Sequence, residues 1–386
     1  MTYDYDIIVF GGGIAGLWTA NTLHRARYNV IVIEKGRLGT GQTLASQGMV
    51  HGGQKYLLQG AITPHATAAA RMPQRWQASL EGRGDVDLTS AKLLSEFQIM
   101  WPAGSLISAA AVLAAANAAT AGCKRLERDA YPDVLKQQKK MRGPVYLLPE
   151  KVLDMRSVLL ALTGGLPGRV LKGEITNITQ GGEATVSGQQ LRAQAIIFAA
   201  GAGNERALEM LKVGEQLTQR RPLRQIMVRP LRSALFGHGI AASRQPRVTV
   251  TSHSIGGDKY VWYLGGAIAE RGANMDEASA GRHAAKELEQ LFPEIDWGEK
   301  EWATWRGDRA EPLDQKGHLP HGPLVHQFGR VLMAWPTKLT FAPALSDLVL
   351  DRLKGITPAA QSLPPPLPAA EIGVYPWEAA DWRKIP

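Results

Sequence analysis

Three glycines near the amino end, Gly11, Gly13 and Gly16, stand at a spacing that can fold backbone around an anion. Each has its own steric task. The first permits a tight turn, the second lets backbone approach a diphosphate, and the third lets a helix pack on the preceding strand. Ile14 and Ala15 open a helix-forming run whose first N–H groups and positive dipole end favour phosphate. Glu34 closes the next β-branched run and Lys35 follows it. A carboxylate at that point accepts hydrogen bonds from a ribose diol and repels a 2′-phosphate. The pattern points to an adenine dinucleotide, FAD or NAD in preference to NADP.

The elements that must position these residues surround them. Residues 6–10 predict a buried parallel strand, 14–26 a helix and 29–33 a second strand, together one βαβ unit. Residues 36–60 form a long stretch rich in Gly, Ser, Thr and Gln without periodicity, the kind of loop that carries function in a compact domain. A helix over 154–162 and strands over 169–178, 184–186 and 195–198 follow, with a hairpin turn at Gly181–Gly182. The last strand runs into a second glycine turn at 199–203. Strands over 224–232, 247–251 and 260–264 predict a β-rich block, followed by a helix over 276–291, a strand over 331–335 and a closing helix over 343–353. From Thr357 the composition turns to Pro and Ala, which predicts an irregular tail.

The 386 residues suffice for two or three domains at ~100–200 residues each. With 45% apolar and 20% charged residues, wholesale disorder is excluded. The net charge of +9 suits nucleic acid, an anionic membrane surface or a small anionic substrate, and does not choose among them. Cys123 is the single cysteine, which excludes an intramolecular disulfide and a thiolate zinc site, and no metal is expected. Asp4 and Asp6 stand where a secretory signal carries positive charge, so a cytoplasmic location is expected. Residues 107–123 are dominated by alanine and fall short of ~20 strongly apolar residues; they predict a packed helix, with peripheral membrane contact left open.

Residues 39–57, GTGQTLASQGMVHGGQKYL, resemble the flavin-contacting loop of FAD-dependent glycerol-3-phosphate dehydrogenases. Those enzymes carry a Ser-rich stretch leading to His-Gly-Gly-x-Arg-Tyr-Leu. The wider group is the D-amino-acid-oxidase-like superfamily. It includes L-2-hydroxyglutarate dehydrogenases, glycine and sarcosine oxidases, and the flavin domain of a tRNA-wobble-modifying enzyme. Residues 152–156 resemble the segment that opens a helix before the second FAD-binding strand, and 196–202 the second glycine turn. Arg306-Gly307-Asp308-Arg309-Ala310 resembles a Gly-x-Arg-Pro substrate motif, with Ala310 in place of proline. Lys338-Leu339-Thr340 resembles the Gly-Lys-Leu-Thr-Thr stretch near the flavin ring; Pro336 and Thr337 replace glycines, and Phe341 the second threonine. The likeness spans residues 4–355 and lacks the large C-terminal helical domain of the glycerol-3-phosphate dehydrogenases.

The resemblance implies an α/β chain, α+β overall, with a glutathione-reductase-type, Rossmann-like FAD-binding domain assembled from residues 1–70, 150–222 and 326–356. A β-rich substrate domain would comprise 71–149 and 223–325, and 357–386 a Pro-rich tail. Carried over, FAD contacts fall on Gly11, Gly13, Ile14, Ala15, Gly16, Glu34 and Lys35, on Thr43, Ser46, Gln47, Gly48 and Met49, and on Ile175, Ala200, Gly201, Leu339 and Thr340. No histidine stands near Leu44–Ala45 and Cys123 lies among alanines, so noncovalent FAD is expected.

A flavin needs a cation or helix N-terminus where negative charge gathers on reduction, which makes Lys338 a candidate; the alternative is a solvated lysine. His51 carries an imidazole, whose pKa environment can move across neutrality, so it can take a proton from a substrate hydroxyl or amine, or else only bind a loop carbonyl. Arg309, and less surely Arg306, can clamp a carboxylate or phosphate. Lys55 stands where the family has arginine, and Tyr56, Trp262 and Tyr263 are weighed as pocket lining against core. The clusters 136–140 and Arg220–Arg221 are expected at the solvated surface.

The expected activity is oxidation of a CH–OH or CH–NH bond of a small anionic substrate, with hydride passing to flavin N5 and reoxidation by oxygen or a quinone. The rivals are an amine or amino-acid oxidase releasing hydrogen peroxide, a tRNA-modifying flavoenzyme suited to the positive charge, and a flavin-binding protein without turnover.

Overall fold

The computed structural model describes residues 4–52, 69–103, 110, 122–139, 141–241, 245–313, 320 and 322–384. An eight-stranded sheet has at its centre the order Val331–Trp335, Gln189–Phe198, Tyr5–Phe10, Val30–Glu34, Val170–Lys172, all parallel. Tyr5–Phe10 is buried along its whole length because both faces of this sheet are covered. Ile7 and Val9 face a core shared with the helices Ile14–Arg25, Met155–Gly164 and Ala342–Arg352, whereas Tyr5, Ile8 and Phe10 face a second core. An antiparallel hairpin, Ile175–Ile178 with Glu183–Val186, extends Gln189–Phe198.

A second, nine-stranded sheet is built mainly from residues between 98 and 312, with Thr218–Leu231 paired to Glu301–Pro312 on one side and to Tyr260–Gly265 on the other. Ile226, Val228, Trp262 and Leu264 pack one face under the helices Ala267–Gly272 and Glu277–Leu291. Met227, Val261, Tyr263 and Ala303 from the opposite face join the core of the first sheet's helices. The two sheets therefore share one apolar contact layer, and the segments that build them alternate along the chain.

The fold agrees with the α/β expectation, and the local differences have physical causes. The run 169–178 breaks at Gly173, whose N–H turns to donate to the Glu34 carbonyl at 2.9 Å. Glu301–Pro312 is a twelve-residue strand, where the sequence suggested only a motif; its charges and aromatics hide the period-two alternation. Most of 107–123 lies outside the described residues. The tail after Thr357 is short of regular structure yet packed: Tyr375 and Trp377 are buried, and Arg383–Lys384 pairs with Glu301–Trp302. Arg220 and Arg221 lie exposed at the surface as expected, and there pair with Glu205 at 2.7 Å and Glu311 at 2.6 Å. Among the described residues no helix is long and apolar enough to cross a membrane.

Candidate active site

The glycine turn is a backbone construction. Gly11 has φ of +114°, and a Cβ there would lie 2.5 Å from the Ala199 carbonyl oxygen. A Cβ at Gly16 would lie 1.9 Å from the Gly11 oxygen, so this helix and its strand meet only through glycine. Beside Gly13, by contrast, a Cβ would meet just the Thr43 hydroxyl, at 3.1 Å. The helix Ile14–Arg25 begins with no side-chain cap and no acidic residue in its first turn, while the Ile14 N–H donates to Thr43 Oγ1 at 3.0 Å. Open space, uncapped amides and a hydroxyl suit the diphosphate of a dinucleotide.

Glu34 closes the neighbouring strand and accepts the Gly12 N–H at 2.7 Å and the Gly36 N–H at 2.8 Å, which fixes its carboxylate at the end of the turn. Lys35 beside it is exposed. Ala200 and Gly201 arrive next to Gly11 because the Ala199 N–H bonds the Phe10 carbonyl at 2.9 Å. Ile175 opens the strand just beyond Gly173, at the edge nearest Glu34. Ser46 donates to the Thr43 carbonyl at 2.8 Å, and Gly48, at φ +64°, passes the Leu153 carbonyl so closely that a Cβ would lie 2.3 Å from it. Met49 bridges to Val152. Gln47 donates across to the Thr249 and Tyr263 carbonyls at 3.2 and 3.1 Å, tying this loop to the second sheet.

At His51 side chains take over from backbone. His51 Nδ1 lies 3.4 Å from Glu150 Oε2, and the other Glu150 oxygen accepts the Gly52 N–H at 2.5 Å. Glu150 is 4% exposed. The Thr340 hydroxyl donates to the His51 carbonyl at 3.2 Å, and the Trp76 indole to the Thr340 carbonyl at 3.0 Å. The ring of His238 stands 5.6 Å from that of His51, held by Thr249 at 2.9 Å and Gln98 at 3.0 Å. Glu150, His238, Gln98 and Thr249 were not anticipated from sequence; each sits in an apolar or β-branched run, and no spacing marks it.

Lys338 and Leu339 are half-buried at the start of the short helical turn before Ala342–Arg352. Thr337 retains φ of +59°, so the threonine that replaces a glycine still holds the left-handed backbone. Lys55 and Tyr56 lie outside the described residues.

Tyr263 departs from the substrate contact expected of it, Trp262 takes the core alternative, and the two arginines are set apart. Tyr263 is fully buried: its hydroxyl donates to the Ala45 carbonyl at 2.9 Å and meets Gln225, and burial raises its pKa well above the ordinary value. It braces the cofactor loop from behind. Trp262 is likewise core, its indole donating to the Ser233 carbonyl at 2.9 Å. Glu301–Pro312 pairs with its neighbour in unbroken register, so Arg306 and Arg309 project from opposite faces. Arg306 is exposed on the face of Trp302, which belongs to the helix-covered core. Arg309 is half-buried; one guanidinium nitrogen reaches Glu270 at 3.1 Å, while its Nε–H is buried without a partner among the described residues.

Comparison with known proteins decides which dinucleotide the cradle takes. The family described as FAD dependent oxidoreductase (DAO) matches residues 6–352. The chain belongs to this family. A probable FAD-dependent oxidoreductase of Pseudomonas aeruginosa is 39% identical over 383 residues, covering 97% of this chain and 98% of that protein. The crystal structure of an FAD dependent oxidoreductase from that organism matches with a TM-score of 0.84 at 36% identity over 98% of both chains. Glycine oxidase from Geobacillus kaustophilus shares the fold, with a TM-score of 0.66 at 19% identity over 93% of this chain and 97% of its own. This FAD-dependent oxidoreductase is therefore an enzyme, and the glycine turn at Gly11–Gly16 has the open space and uncapped amides that a dinucleotide's diphosphate needs. Its single cysteine is a poor tether: burial and the nearby Glu150 carboxylate push the Cys123 thiol up to about 11, so it stays protonated.

Proposed function

We propose that this FAD-dependent oxidoreductase oxidises a CH–NH or CH–OH bond of a small carboxylate, with His51 taking the proton from nitrogen or oxygen. The observation that carries the reading is the His51–Glu150 pair at the end of the flavin loop. A buried carboxylate that grips both the imidazole and the next backbone N–H holds a base in one orientation and stabilises it once protonated. The bound flavin supplies the one capacity the side chains lack, acceptance of the hydride equivalent from carbon. The C–H bond and the N–H or O–H bond both break, and the product is an imine or a carbonyl.

The unpartnered Nε–H of Arg309 supports an anionic substrate, because a buried guanidinium donor without an acceptor is matched by a carboxylate oxygen. Lys338 is the candidate for stabilising negative charge as the cofactor is reduced. The CH–NH form draws support from glycine oxidase of Geobacillus kaustophilus, 27% identical over an 88-residue stretch.

The test is anaerobic mixing of the oxidised enzyme with amino acids, their N-alkyl derivatives and hydroxy acids, each beside its amide. Bleaching by a free acid and not by its amide is the expected result. Bleaching by neutral compounds alone, or by none, overturns the proposal. Readmission of oxygen or a quinone then identifies the acceptor by peroxide release or quinone reduction.

A further inference from the structure

The carboxyl-terminal segment lies outside the family match, which ends at residue 352, yet it touches the cofactor loop directly. The Leu38 N–H donates to the Glu371 carbonyl at 2.8 Å and the Gly373 N–H donates to the Leu38 carbonyl at 3.0 Å. On its other flank the segment grips the sheet, with the Ala370 N–H on the Val170 carbonyl at 3.0 Å and the Lys172 N–H on the Pro368 carbonyl at 2.7 Å. Leu38 is fully buried against the glycine turn: a Cβ on Gly12 would lie 2.2 Å from Leu38 Cδ2, and the Gly39 N–H donates to the Gly12 carbonyl at 3.0 Å. Residues 368–373 are thus two hydrogen bonds away from the backbone that receives the diphosphate.

Further along, the segment reaches the second sheet. The Tyr375 hydroxyl donates to Asp154 at 2.8 Å and accepts the Arg156 N–H at 2.9 Å. Trp377 stacks on Tyr375 at 4.3 Å and lies 3.9 Å from the His253 ring and 5.3 Å from that of Tyr263. Tyr263 in turn holds the Ala45 carbonyl. The cofactor loop is therefore gripped at Leu38 by the segment itself and at Ala45 by a tyrosine that the segment packs.

We propose that residues 368–382 are a clasp that sets the affinity for FAD, by ordering the loop from Leu38 to Gln47 before the cofactor arrives. A loop already held in place spares the ordering entropy that binding would otherwise cost, and affinity rises accordingly. Because coupling is reciprocal, FAD must tighten the clasp by the factor by which the clasp tightens FAD. The proposal rests on FAD binding alone and not on the substrate reading.

Two full-length wedge variants test it. A Cβ at Gly373 would lie 2.4 Å from Thr40 Cγ2 and 3.2 Å from Leu44 Cδ1, whereas one at Gly355 meets nothing within 4 Å. Gly373→Val is expected to raise the dissociation constant for FAD at least about tenfold, or about 1.4 kcal/mol, with an unchanged far-UV circular dichroism spectrum. Gly355→Val is expected to stay within about twofold of the parent. Trp377→Ala should weaken FAD binding and Trp377→Phe should restore most of it. In the unaltered chain, FAD should slow hydrogen exchange at the Gly373 and Ala370 amides together with the Leu38 amide. Folded Gly373→Val and Trp377→Ala with parental affinity overturn the clasp, and so do tail amides indifferent to FAD. If Gly373→Val does not fold, the exchange measurement on the parent decides. Failure of FAD binding itself is distinguishable, since it would appear in the parent.

Discussion

Around Gly11–Gly16 the contacts are backbone against backbone: Gly11 on Ala199, Gly16 on Gly11 and Gly48 on Leu153. Around His51 the contacts are side chains drawn from distant parts of the chain, Glu150 from a loop and Gln98, His238 and Thr249 from three strands of the second sheet. The first region needs glycine at fixed offsets in one continuous stretch, so its sequence signature is local. The second needs only that topology bring a carboxylate, an imidazole and an amide together, so its signature is spread over the whole chain. At Gly11 and Gly16 the backbone leaves no room for a side chain, whereas the corner around His51 is built from side chains and is free to specialise.

Breaking the cradle should have the largest effect. With a Cβ 1.9 Å from the Gly11 oxygen and 3.1 Å from its carbonyl carbon, Gly16→Ala meets backbone that cannot yield. Expected are loss of bound FAD and destabilisation by roughly 3 kcal/mol, read by flavin absorbance and calorimetry. Gly41→Ala in the loop that follows Glu34, where a Cβ meets nothing, should retain both.

On the second sheet the matching liability is a buried imidazole. His253 is packed against Trp377 with Nε2 unpartnered among the described residues, and burial lowers its pKa to about 3 from the ordinary 6.5. The unfolded chain takes up this proton below its own pKa and the folded chain does not, so stability is lost as pH falls through 6.5 towards 3. By pH 4 this should amount to about 3 kcal/mol. Urea unfolding as a function of pH measures it, and His253→Phe should flatten the slope.

Smaller effects separate the two arginines. Arg309→Ala is expected to raise the half-saturating substrate concentration about tenfold, while Arg306→Ala, on the opposite face, should leave it unchanged. Equal effects in steady-state kinetics would mean that the two share a site. The smallest change should come from Thr337→Gly, which relieves a left-handed threonine and should raise stability by roughly 0.5–1 kcal/mol, read as a shift in melting temperature.

How much of this was legible in the sequence follows from the same contrast. Gly11, Gly13, Gly16 and Glu34 could be assigned because strand, turn and helix constrain each residue within one βαβ unit. The loop from Thr43 to Met49 was singled out through family likeness alone, since no periodicity marks it. Arg309 and Arg306 were both offered as anion clamps because the segment did not look like a strand; once it is one, alternation puts them on opposite faces. Tyr263 looked like pocket lining because an aromatic on a strand does not declare which face it occupies. The tail looked irregular, and locally it is, but its Tyr375 and Trp377 are ordered by residues more than a hundred positions away.

The central claim is that a backbone cradle holds FAD while the His51–Glu150 pair serves the chemistry, and Glu150→Gln tests it most directly. The variant keeps the size of the side chain and removes its charge. Its affinity for FAD and its rate of anaerobic flavin reduction should be measured beside the parent, with a substrate that bleaches the parent. The account expects FAD affinity within about twofold of the parent and reduction slowed on the order of 100-fold. Reduction at the parental rate, or loss of FAD with the rate of the remaining holoenzyme unchanged, would contradict it.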